Sequence, residues 1–194
     1  MTSPVQSRWL ALANHLYLLA MVAVIAAVLT AAAVMQYVFG ELPCPLCLLQ
    51  RVAMLGVCFG LLLNLNGTYS DRNTGIALAF TLLLLVVAER QSLLDIYPRP
   101  GHAYIGSAVL GLHMPVWSIV IALCLLIALA FRLAVLGGND HMRGNESASF
   151  PLVHGAARLL GVYVIALCAI NFVSAIIQCG LGQCHTMGYA LLPG

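Results

Sequence analysis

The chain has 194 residues, of which 62% are hydrophobic and only 7% are charged. Soluble domains carry about 25% charged residues, so this composition excludes a free globular protein, and the apolar excess excludes a disordered chain. All eight basic residues are arginines and the net charge is only +2, which leaves no basic surface for nucleic acid. The composition therefore predicts an all-α, polytopic membrane helix bundle that forms a single domain.

Five apolar runs are long enough to cross a membrane, because a spanning helix needs about 20 mostly apolar residues. They are predicted at residues 16–39, 46–65, 75–97, 116–136 and 157–177. The first run contains Ala31-x-Ala33, which resembles a signal-peptide cleavage site. The apolar core of a signal peptide is only about 7–15 residues long, so we expect this longer run to be retained as a span.

Arginines near the span ends favour one orientation. A cytoplasmic N-terminus places five arginines on the cytoplasmic side and three on the opposite side. The five are Arg8, Arg72, Arg132, Arg143 and Arg158, and the three are Arg51, Arg90 and Arg99. Because cytoplasmic loops carry the excess of positive charge, the N-terminus is predicted to be cytoplasmic.

Four of the seven cysteines form two pairs at span ends. Cys44 and Cys47 follow the first span, and Cys179 and Cys184 follow the fifth. An odd number of spans separates the N-terminus from each pair, so both pairs lie on the same face of the membrane. In the predicted orientation this face is extracytoplasmic, where disulfides persist. The other three cysteines lie within apolar runs, where a buried thiol is a small, inert hydrophobe: Cys58, Cys124 and Cys168.

Cys44-Pro-Leu-Cys47 is a C-x-x-C motif at the predicted start of the second helix. Helix N-terminal amides and a nearby cation both favour a thiolate, and Arg51 lies one turn after Cys47 on the same helix face. Since the thiolate is the attacking species in disulfide exchange, the motif predicts redox chemistry. A zinc site is disfavoured because Cys179 and Cys184, which would supply the other two ligands, are spaced too loosely. Covalent haem attachment is disfavoured because Leu48 stands where the C-x-x-C-H motif needs histidine. A purely structural disulfide leaves the arginine unexplained.

Two other polar groups each have two interpretations. The tail segment Cys179-Gly-Leu-Gly-Gln-Cys184 predicts either a static staple or a mobile disulfide that exchanges with the first pair or with a partner. Glu89, Arg90 and Gln91 are either a helix end that reaches the headgroups or a polar rim of a cofactor pocket beside Arg51.

The segment Cys44-Pro-Leu-Cys47-Leu-Leu-Gln-Arg51-Val-Ala resembles the first periplasmic loop and second helix of the bacterial disulfide-bond-formation protein B (DsbB) family. Residues 94–100 resemble the end of that family's third helix, and residues 110–117 resemble the start of its fourth. The resemblance covers roughly residues 15–136. It implies a DsbB-like four-helix core, to which this chain adds a fifth transmembrane helix.

The resemblance also implies an activity: a quinone-dependent thiol oxidase of the inner membrane that reoxidises a DsbA-like periplasmic dithiol oxidase. Cys44 and Cys47 would be the redox pair next to the quinone (ubiquinone or menaquinone), and Arg51 would hold the quinone and stabilise the Cys47 thiolate. Gln50 falls where well-known members carry a carboxylate, and Gln91 falls where they carry a histidine near the quinone. A partner with a reduction potential of about −120 mV needs an electron acceptor of still higher reduction potential, which favours a quinone.

The chain departs from the family at the second cysteine pair. The family carries that pair in its second periplasmic loop, but residues 98–115 contain no cysteine. We expect Cys179 and Cys184 to replace it and to pass electrons from the partner to Cys44 and Cys47. Two alternatives stay open: a membrane conduit that runs in the thiol-reducing direction, and a non-enzymatic scaffold with two structural disulfides.

Overall fold

The described residues of the computed structural model, which are 4–67, 69–97, 110–135, 150–180, 182 and 189–191, form five long helices. In chain order these are α1 (Pro4–Tyr37), α2 (Pro45–Asn66), α3 (Asp71–Ile96), α4 (Met114–Val135) and α5 (Pro151–Cys179). Each helix is long and apolar enough to cross a membrane. The predicted all-α polytopic bundle is therefore confirmed, and the protein is a multi-pass membrane protein.

The helices begin earlier than the apolar runs that predicted them. α1 starts at Pro4 and α5 at Pro151, because a helix continues through polar residues that a search for apolar runs leaves out. Pro151 suits the first helical turn, where its missing N–H is not needed. α3 begins after Ser70, whose hydroxyl caps the helix by accepting a 3.3 Å hydrogen bond from the Arg72 N–H.

α2 lies at the centre of the packing. It packs against α1, α3 and α5, and α3 packs in turn against α4. The Tyr17 hydroxyl on α1 donates a 3.0 Å hydrogen bond to the Ala128 carbonyl on α4, which closes α1 to α4 into a four-helix core. α5 packs on α1 and α2 from outside, and its exposed Leu159, Ile165 and Phe172 form a surface suited to lipid.

A glycine lets α2 and α3 approach each other closely. A Cβ atom at Gly60 would lie 2.7 Å from the Ala77 nitrogen and 2.8 Å from the Asn73 carbonyl oxygen. Both neighbours are backbone atoms, which cannot move aside as a flexible side chain can. The contact therefore sets the distance between two helices that also carry residues of the cysteine site.

A buried polar network ties four helices together at the end of the bundle opposite the cysteines. Arg132 of α4 is wholly buried and donates to Asn14 Oδ1 at 2.8 Å and to Thr74 Oγ1 at 3.0 Å. Asn64 Nδ2 donates to the same Thr74 oxygen at 3.0 Å. The guanidinium also lies over the Tyr69 ring, 5.6 Å from its centroid. A charge within a membrane bundle is stable only with such partners, so Arg132 here links the helices.

The three cysteines outside the predicted pairs are free thiols. Cys58 is fully buried in the core, as expected. Cys124 on α4 and Cys168 on α5 are exposed, so the expectation that they are buried is wrong. The apolar run does not distinguish a residue that faces the core from one that faces lipid, because both environments are apolar.

Thr74→Val removes the oxygen that accepts from both Arg132 and Asn64, and it leaves two buried donors without that acceptor. We expect the free energy of unfolding to fall by about 1–2 kcal/mol, measured by denaturant unfolding in detergent. Thr81→Val is the matched control, because Thr81 is also buried on α3 but donates to Ala77 O of its own helix. For Thr81→Val the free energy of unfolding should fall by less than about 0.5 kcal/mol. An equal fall in both variants would contradict a role for Thr74 between helices.

Candidate functional site

The two cysteines of the C-x-x-C motif form a disulfide bond at the start of α2. Cys44 is the N-cap residue, and its Sγ accepts a 3.0 Å hydrogen bond from the Cys47 N–H, as an N-cap hydroxyl would. Pro45 follows at the first helical position, where its fixed φ is compatible with the helix. The motif thus places both sulfurs at the positive end of the helix dipole.

A largely apolar cavity of about 450 Å³ adjoins this disulfide. Cys47 and Arg51 both line it, as their spacing of one helical turn predicts. Apolar wall residues come from three helices and include Ala32, Met35, Met54, Met114, Trp117 and Ile121. The cavity therefore offers an apolar volume that reaches one sulfur of the disulfide.

Arg51 is held in place by α1. Its Nη1 donates to Gln36 Oε1 at 2.6 Å, and its Nη2 donates to the Ala32 carbonyl at 3.1 Å. Both acceptors are neutral, so they orient the guanidinium without cancelling its charge. A cation at the cavity wall favours a thiolate or an electron-rich ligand there.

Gln50 and Gln91 meet between α2 and α3. Gln50 Nε2 donates to Gln91 Oε1 at 2.8 Å, and Gln91 Nε2 donates to Cys47 Sγ at 3.4 Å. Ser118 of α4 donates to Gln50 Oε1 at 2.8 Å. The three polar side chains are buried and line the cavity, so both predicted glutamines lie near Cys47.

The polar cluster on α3 is divided between two surfaces. Gln91 faces the cavity, whereas Glu89 and Arg90 are exposed and line a separate depression on the outer side of the helix. Successive helix residues differ in direction by about 100°, so neighbours in sequence need not share a face. The hypothesis of a polar pocket rim therefore applies to Gln91 alone.

The end of α5 lies against the loop that precedes Cys44. Gln178 is wholly buried, and its Nε2 donates a 2.6 Å hydrogen bond to the Pro43 carbonyl. α5 ends at Cys179, which is disulfide-bonded, and Cys184 lies outside the described residues. Since Pro43 adjoins Cys44 and Gln178 adjoins Cys179, both cysteines lie at the same end of the bundle, as the count of spans predicts.

Three polar side chains that shape this region were not among the predicted site residues: Gln36, Ser118 and Gln178. Gln36 and Ser118 are polar residues inside apolar runs and Gln178 directly follows one, which is the available sequence signal. In α5 the signal is stronger, because Asn171, Ser174 and Gln178 recur at intervals of three and four residues and so share one face. All three are buried, and Ser174 Oγ hydrogen-bonds the Tyr37 hydroxyl on α1.

The family model described as Disulfide bond formation protein DsbB matches residues 13–102, just under half of the chain. The match includes Cys44, Cys47, Arg51 and Gln91, and it confirms the resemblance up to residue 102, whereas the resembling residues 110–117 lie beyond it. It ends before α4 and α5, so the tail cysteines lie outside it. No curated protein and no solved structure matches the chain.

In the reduced protein, a membrane-permeant maleimide is expected to label Cys47 at least about tenfold faster than Cys44. Cys47 lines the cavity, whereas Cys44 is only 7% exposed. Brief labelling at neutral pH followed by peptide mass spectrometry would measure both rates, with the buried Cys58 as a slow internal reference. Faster labelling of Cys44 would contradict this order of accessibility.

Proposed function

We propose that this protein belongs to the DsbB family and is a quinone-dependent thiol:disulfide oxidoreductase of the bacterial inner membrane that reoxidises a periplasmic, thioredoxin-like dithiol oxidase of the DsbA type. The observation that carries the proposal is the Cys44–Cys47 disulfide beside a largely apolar cavity that Arg51 also lines. A static staple gains nothing from a cation and a cavity at its side. A disulfide that is repeatedly reduced and re-formed needs a stabilised thiolate and an electron acceptor within reach.

The cavity suits an acceptor with a polar ring and an apolar tail, such as ubiquinone or menaquinone. Its polar lining lies around Cys47, where Gln50, Arg51 and Gln91 would hold the ring, and most of the remaining wall is apolar. Re-formation of the disulfide releases two electrons and two protons, which reduce quinone to quinol. This acceptor also meets the energetic requirement that electrons leave a strongly oxidising partner for a couple of higher potential.

Within the pair, we assign different roles to the two sulfurs. Cys47 lines the cavity with Arg51, which supports it as the thiolate that donates electrons. Cys44 adjoins Pro43, the residue that Gln178 contacts from α5. This position supports Cys44 as the sulfur that exchanges with the second pair.

The tail pair is proposed to accept electrons from the partner. Attack of the partner's thiolate on a Cys179–Cys184 disulfide would convert the partner's dithiol into a disulfide and the tail cysteines into thiols. Exchange with Cys44–Cys47 would then restore the tail disulfide and reduce the first pair. The hydrogen bond between Gln178 and Pro43 supports this relay, because it holds the end of α5 against the loop that carries Cys44.

The proposed orientation has a cytoplasmic N-terminus, five spans and both cysteine pairs on the periplasmic side. The excess of arginines near the cytoplasmic span ends supports it, as does the need of the tail pair to meet a soluble periplasmic partner. Disulfides at that face also persist in an oxidising compartment.

Cys179→Ser and Cys184→Ser are each expected to lower oxidation of the partner by more than about 100-fold, because the partner's thiolate loses its disulfide target. Both variants should still oxidise dithiothreitol, since a small dithiol can reach Cys44–Cys47 directly. Cys47→Ser should abolish both activities. Quinone-loaded proteoliposomes with either dithiol as substrate would measure the rates.

The matched controls are Cys124→Ser and Cys168→Ser, which remove free thiols on the outer surface and should keep both activities. Full activity toward the partner in both tail variants would refute the relay and leave the tail disulfide with a structural role. Partner oxidation that survives Cys47→Ser would refute the redox role of the first pair.

Quinone depletion separates the oxidase from its alternatives. In cells that lack quinone, the oxidase should accumulate with Cys44–Cys47 reduced, because its electrons have no acceptor. A thiol-reducing conduit or a scaffold with structural disulfides should keep that pair oxidised. Acid trapping followed by alkylation and a gel-shift assay reads the redox state directly, and an oxidised pair after depletion would reject the proposal.

A further inference from the structure

A continuous chain of hydrogen bonds joins α4 to the redox sulfur at Cys47. Ser118 Oγ donates to Gln50 Oε1 at 2.8 Å, Gln50 Nε2 donates to Gln91 Oε1 at 2.8 Å, and Gln91 Nε2 donates to Cys47 Sγ at 3.4 Å. The exposed fractions of Ser118, Gln50 and Gln91 are only 8%, 6% and 5%. The chain is therefore largely shielded from solvent from the hydroxyl to the sulfur.

The direction of this chain is the same at every link. In every hydrogen bond of the chain, the donor is the group farther from the sulfur. The bond dipoles therefore add, and their positive end points at Cys47 Sγ. Hydrogen bonds arranged in series polarise one another, and they act strongly where water is excluded. The chain therefore presents an oriented donor to the sulfur without any charged group.

The same side chains can also reverse the direction. Gln91 Oε1 lies 3.8 Å from Cys47 Sγ, within reach of a thiol S–H, and Ser118 Oγ lies 3.3 Å from the Met114 carbonyl. If both amides rotate, Gln91 accepts from the thiol, Gln50 donates to Ser118, and the Ser118 hydroxyl donates to Met114. Every proton stays on its own residue, so the change is a rotation and not a proton transfer.

We propose that Ser118, Gln50 and Gln91 form an uncharged, reversible relay that donates a hydrogen bond to the Cys47 thiolate and accepts one from the Cys47 thiol. Ser118 is then a positioning residue that acts on the sulfur through two amides. The inference rests on the proposed function only in taking Cys47 as the redox thiol. It deepens that function, because an amide relay serves both protonation states of the sulfur and does not titrate itself.

Ser118→Ala tests the relay at the residue farthest from the sulfur. In a reduced Cys44→Ser background, which leaves Cys47 without its disulfide partner, the pH midpoint of Cys47 alkylation should rise by about 0.5. Gln91→Leu removes the donor itself and should raise the midpoint by about 1. Ser118→Thr keeps the hydroxyl and should restore the original midpoint. Peptide mass spectrometry of the full chain in detergent reads Cys47 separately from the other thiols.

Ser92→Ala is the matched control on α3. Its hydroxyl is buried one residue after Gln91 and has no hydrogen-bond partner among the residues that the structure describes, so its loss should leave the midpoint unchanged. An unchanged midpoint in folded Ser118→Ala, or an equal shift in Ser92→Ala, would overturn the relay. If Ser118→Ala does not fold, Gln50→Met interrupts the same chain from α2 and must raise the midpoint for the relay to stand.

The alkylation assay contains neither quinone nor partner, which separates this inference from the proposed function. A shifted midpoint together with failed partner oxidation would support the relay and reject the oxidase. An unchanged midpoint in an active oxidase would reject only the relay.

Discussion

Lipid offers no hydrogen bonds, so polar side chains inside this bundle can find hydrogen-bond partners only within the protein. The hydrogen bonds between buried side chains accordingly fall into two groups at opposite ends of the bundle. One surrounds Arg132 and the other surrounds Cys47, with a core of fully buried leucines such as Leu61 and Leu84 in the same bundle. Each group bridges several helices. The contacts that stabilise the bundle at the second group are therefore the contacts that surround the Cys47 sulfur.

The environment of Cys47 combines three different electrostatic contributions. The start of α2 supplies backbone amides, Arg51 supplies a cation that donates to neutral oxygens of Gln36 and Ala32, and Gln91 supplies a side-chain donor. The first two follow from local sequence, since they lie within two turns of one helix. The third comes from another helix and depends on the packing of α2 against α3, which the close approach at Gly60 permits.

The family match covers the disulfide and its arginine, but the surroundings of the site extend beyond it. α4 contributes Ser118 and a wall of the cavity, and α5 contributes Gln178 against the loop before Cys44. The fifth helix is thus not a separate addition on the lipid side of the core. It reaches the Cys44–Cys47 end of the bundle through a buried hydrogen bond and ends at a disulfide-bonded cysteine.

The number of spans and the common face of Cys44 and Cys179 were determined by the sequence alone, because the length of an apolar run and the parity of crossings need no knowledge of packing. The nearness of Arg51 to Cys47 followed likewise from helical periodicity. Tertiary structure decided which polar residues act together: it turned Gln91 inward and Arg90 outward, and it joined Ser118 and Gln178 to the site from distant parts of the chain. Lipid and the protein core are both apolar, so the hydrophobicity of a residue does not reveal whether it faces lipid or a neighbouring helix. Only the packing of the helices decides this.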